Sequence, residues 1–129
     1  MNVLPTDQNF LGIPEKELYS YEKAHYVIHS LPYEHTSSYL AGSDKGPAAI
    51  IGASQFVELY DEELDAETYR VNPVATLEPL DFTGKVNKDA VDLIEASASK
   101  LIADGKFVVS LGAEHTVTLG LVRAHAKKY

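Results

Sequence analysis

The run Val108-Val109-Ser110-Leu111-Gly112-Ala113-Glu114-His115-Thr116 holds the residues best placed for chemistry in this chain. An apolar strand runs into a glycine turn, and Glu114-His115-Thr116 then opens a helix. Sites in open α/β sheets form at the carboxyl ends of strands, and neutral imidazole is a common metal ligand. His115 is therefore a candidate metal ligand. A histidine at a helix start can equally cap the helix or pack as a polar residue, and Glu114 can simply favour the helix dipole. Metal chemistry needs several ligands, and no aspartate or glutamate follows Glu114. His25, His29, His35 and His125 show no ligand spacing among themselves. The expectation is a chain that holds part of a metal site, with no catalytic residue of its own.

Other chemistries are excluded more firmly. The chain has no cysteine, which removes disulfides, thiolate metal sites and a cysteine nucleophile. It has no Gly-x-Gly-x-x-Gly, no phosphate loop and no Gly-x-Ser-x-Gly elbow. Glu34-His35 and Glu114-His115 lack the second histidine one helical turn away that a helical zinc protease needs. With 11 basic and 19 acidic residues the net charge is −8, which argues against nucleic acid and anionic membrane as partners. No apolar run approaches the roughly 20 residues of a membrane span, and Met1 to Asp7 does not read as a signal peptide. A cytoplasmic, soluble protein is expected.

The elements that must position this chemistry follow from pattern. Residues 9–24 read as a surface-packed segment with a short helical turn. Tyr26 to Leu31 reads as a first strand, ended by Pro32. Residues 32–46 make a long loop rich in Ser, Thr and Gly, and its Thr36-Ser37-Ser38 suits turns. Gly46-Pro47 starts a helix, with Ile50, Ile51, Ser54 and Val57 as its core stripe. Val57 to Tyr60 reads as the end of that helix or a short strand, and Asp61 to Asp65 as a solvated acidic face. Val74 to Leu77 is a second strand. A helix from about Lys88 to Asp104 has Asn87 as its N-cap, Gly105 as its stop, and Ala90, Val91, Ile94, Ala98, Leu101 and Ile102 on its apolar face. Phe107 to Leu111 reads as a third strand buried on both faces, where Gly112 permits the sharp turn. A last helix runs from about Thr116 to Lys128, with Val117, Leu121 and Ala124 on one face. The order β–α–β–α–β–α predicts an open, mostly parallel three-layer α-β-α sheet.

As a whole the chain resembles the ureohydrolase (arginase/agmatinase) family, and within it the agmatinases. Leu31-Pro32-Tyr33-Glu34 is similar to the family's Gly-hydrophobic-Pro-Phe-Asp strand end. Thr36-Ser37-Ser38-Tyr39, Gly42 and Gly46-Pro47-Ala48-Ala49-Ile50 are similar to its Thr-Ser, Gly and Gly-Pro pattern. Gln55 to Asp61, followed by Glu63-Leu64, looks like agmatinases in particular. Leu111-Gly112-Ala113-Glu114-His115-Thr116-Val117 resembles the Gly-Gly-Asp/Glu-His-Ser/Thr motif. Ala113 replaces the usual second glycine there, which is tolerable only if its φ is negative.

The resemblance spans about Phe10 to Tyr129 and implies an arginase-like fold. It implies hydrolysis of a guanidino group with release of urea, agmatine giving putrescine. It also implies a pair of Mn2+ ions sharing a hydroxide, with His115 a ligand to one of them. The family's other ligands, from Asp-x-His-x-Asp and Asp-x-Asp motifs, have no counterpart in residues 1–129. The expectation is that residues 1–129 are the N-terminal portion of a single ureohydrolase-type domain, the fold incomplete and the chain inactive alone. A homo-oligomer is expected. The alternatives are a non-catalytic half-domain acting in assembly, another guanidino or formimino hydrolase, and a zinc-dependent deacetylase of the same superfamily.

Overall fold

The computed structural model describes residues 1–129. Three parallel strands form one sheet in the order β2-β1-β3. β1 is Tyr26–Leu31, β2 is Val74–Thr76 and β3 is Phe107–Gly112. Five helices accompany them: α1 (Lys16–Tyr19), α2 (Gly46–Ser54), α3 (Thr68–Val71), α4 (Lys88–Ala103) and α5 (Thr116–Ala126). The expected alternation holds, and α3 adds one short turn that the pattern did not announce. No helix is long and apolar enough to cross a membrane.

The register decides which side chains share a face. Val27 pairs with Val108 and Leu31 with Gly112. Val27 packs with Leu101 of α4, while Leu31 packs with Ile94 of α4 and Val117 of α5. Odd positions of β1 therefore face the α4/α5 layer. Side chains alternate along a strand, so Ile28 and Ser30 face the other side, where Pro47 and Ile51 of α2 lie beside Ser30. The result is three layers, α-β-α.

α4 forms as its sequence dictates. All six residues of its predicted apolar face are buried, and each buried Val, Leu or Ile there contributes about 1.5–3 kcal/mol. Gly105 stops it at φ +74°, a left-handed conformation that glycine adopts without strain. The Gly105 N–H donates to Ile102 O at 3.1 Å and the Lys106 N–H to Leu101 O at 3.0 Å, closing the last turn. Asn87 behaves differently from the expectation. It precedes the helix at φ 51° and its side chain makes no capping bond. Its N–H instead donates to Tyr33 Oη at 2.8 Å, so its left-handed backbone rather than its amide sets the helix entry.

Two further expectations are corrected. β3 is not buried on both faces: Phe107 is 57% and Val109 is 38% exposed. It is an edge strand with β1 as its one neighbour, and on the side of Phe107 and Val109 the nine-residue α2 leaves most of the strand uncovered. The α2 stripe is also narrower than predicted, since Ile51 and Ser54 are buried while Ile50 and Val57 are exposed. α2 ends at Ser54, and Val57 to Tyr60 form neither helix nor strand.

The opposite edge is covered. Val3 bridges Leu77 antiparallel, the Leu4 N–H donates to Thr76 O at 2.8 Å, and the Glu78 N–H donates to Asn2 O at 3.3 Å. The segment at residues 9–24 packs as expected: Asn9 is fully buried and its side chain closes a turn with the Ile13 backbone at 2.8 and 3.0 Å.

Candidate functional site at the carboxyl end of the sheet

β1 and β3 run in parallel and end in register, Leu31 beside Gly112. The two segments singled out from the sequence, residues 32–46 and 112–116, therefore emerge side by side at one rim. Gly112 is required there for a different reason from the one expected. Its φ is not positive. A Cβ on Gly112 would meet Val117 Cγ2 at 2.5 Å, well inside contact distance. The glycine lets the first turn of α5 fold back against the strand end. Ala113 also has negative φ, so the departure from a second glycine is accommodated without strain.

His115 stands immediately before α5 in helical conformation, is exposed, and caps nothing with its side chain. Neither capping nor packing accounts for it. Glu114 is half-buried and already committed. Its Oε2 accepts from the backbone N–H groups of His35 at 3.2 Å and Thr36 at 3.0 Å, and its Oε1 accepts from the Thr36 hydroxyl at 3.1 Å. Burial works to raise its carboxyl pKa, but these bonds and the Thr36 and Thr116 hydroxyls outweigh it, so the net shift is downward. A carboxylate held ionised by donors on three sides is a staple between loops, not a free base.

The long loop carries its own anchor. Glu34 accepts from the Ser37 hydroxyl at 2.6 Å and from the Gly42 N–H at 2.8 Å. The Ser37 bond and then the Gly42 bond pull its carboxyl down to about 2. Sequence reading saw turn chemistry in Thr36 and Ser37. It missed that both hydroxyls serve carboxylates, Glu114 across the rim and Glu34 within the loop. The signal was available in principle: parallel strands ending in register put a glutamate two residues past Gly112 opposite a Ser/Thr loop past Leu31.

Of the other histidines, His35 sits in the rim loop with its N–H on Glu114, whereas His29 and His125 lie elsewhere. His29 is buried against the α4/α5 layer, with Ser97 Oγ 2.9 Å from Nε2 and Ser110 Oγ 3.5 Å from Nδ1. His125 Nδ1 lies 2.8 Å from Leu121 O on α5. The acidic run 61–65 is exposed, and Asp61 Oδ1 accepts from the Glu63 and Leu64 N–H groups, both at 3.0 Å, as an ordinary turn. Nowhere do three His, Asp or Glu side chains converge in a way that could hold a metal ion. A pair of manganese ions finds no complete ligand set among these residues.

Comparison with known proteins places this rim in a family. The model of the arginase family matches residues 24–129. The N(1)-aminopropylagmatine ureohydrolase of Synechocystis sp. is 40% identical over 109 residues, which cover 81% of this chain and 36% of that protein. The agmatinase of Bacillus anthracis is 40% identical over 111 residues, covering 85% of this chain and 38% of the relative. The crystal structure of the agmatine ureohydrolase of Thermoplasma volcanium superimposes with a TM-score of 0.70 at 31% identity, over 84% of this chain and 36% of that one. The chain thus spans well under half the length of these relatives, and within that span its parallel sheet and helices share their fold. The chain belongs to the arginase family.

Proposed function

We propose that residues 1–129 supply the β1 and β3 rim of a manganese-dependent ureohydrolase domain, as its N-terminal portion, with His115 as one metal ligand. The substrate class is a small guanidino compound such as agmatine, hydrolysed to an amine and urea. The observation that carries this reading is His115: exposed, uncapped, and placed at the strand ends by the Glu114 staple. The arginase family match and the agmatinase names of the relatives support the reaction class. When bound, paired manganese would polarise and deprotonate a water for attack on the guanidinium carbon. This chain's own part is to hold the His115 imidazole at the rim and the Thr36 loop beside it. One imidazole does not retain a pair of hard divalent ions, which need several oxygen ligands. The chain alone is expected to release no urea from agmatine in the presence of manganese. A steady urea-forming activity of the 129-residue chain would overturn the assignment of His115 as its single ligand.

The apolar edge at β3 favours a second reading, in which the half-fold serves assembly. Phe107 and Val109 on β3 and Leu119 and Val122 on α5 are all exposed. Light scattering on the purified chain tests it, because a concentration-independent monomer would remove the only observation in its favour.

A further inference from the structure

We draw no further inference here: the strongest candidate, the exposed apolar patch of Phe56, Val57, Tyr60 and Leu64 that follows α2 and borders the acidic run 61–65, carries nothing, because nothing in the structure shows what covers it.

Discussion

Gly112 and Glu114 show how little room the rim leaves for substitution. Gly112→Ala brings a Cβ against Val117 Cγ2, a side-chain atom, so the helix start or the valine rotamer must move. Overpacking of this kind costs about 1–3 kcal/mol. Because the obstacle is a side chain, Val117→Ala in the same molecule should recover part of the loss, read as non-additivity in a double-mutant denaturation cycle. Gly120→Ala should have no such rescue, since its Cβ would meet the backbone Val91 O at 2.8 Å as well as Ile94. Glu114→Ala tests the staple. It removes the acceptor for the His35 and Thr36 amides, so their hydrogen exchange should accelerate about tenfold or more while β1 amides stay protected. Unchanged exchange at Thr36 would show that the loop holds itself without Glu114. The position of His115 beside the strand ends was legible because strand, glycine and helix start are local signals. The staple was not, because Glu114 and Thr36 are 78 positions apart and meet only through the β1–β3 register.

At the scale of elements, sequence pattern works where an element's surroundings are implied by its own periodicity. α4 has a single stripe, and that stripe meets β1 and α5 as predicted. β3 has five consecutive residues that would suit burial on both faces, but burial also depends on which neighbours the sheet supplies. β1 is the strand that is enclosed, and it carries a histidine at its centre. Burial pushes His29 down to about 4, from an ordinary value near 6.5. The folded protein therefore binds this proton less readily than the unfolded chain. Stability is complete above about pH 6.5 and falls as pH drops toward 4, by up to about 3 kcal/mol over that interval. Carboxylates such as Glu34 and Glu114, with lowered pKa, lose their contribution only below the ordinary carboxylate range. Denaturant midpoints at pH 7 and pH 5 should thus differ in the parent chain, and the difference should shrink in His29→Gln, which keeps hydrogen-bonding capacity for Ser97 without titrating. An equal pH dependence in the two proteins would mean that another group carries the acid sensitivity.

The whole molecule is asymmetric in a way that decides its behaviour in solution. On the β2 side, Asn2 to Leu4 run along the sheet edge and occupy its backbone groups. On the β3 side nothing does, and the strand presents both an unpaired backbone edge and the apolar side chains of Phe107 and Val109. Such an edge is a template for another chain unless charge or a bulge blunts it, and β3 from Phe107 to Gly112 has neither a charged residue nor a proline. A net charge of −8 opposes association at long range, but salt screens it within about 10 Å at ordinary ionic strength, whereas strand pairing and apolar contact act at touching distance. Association should therefore grow with salt and with protein concentration. Val109→Lys places a charge on the exposed face of the edge without entering the α4/α5 core, so it should lower the apparent mass in light scattering while leaving the circular dichroism spectrum intact. If Val109→Lys and the parent chain have the same mass at every concentration and salt, the β3 edge is not the site of association, and the uncovered face is tolerated by the isolated fold.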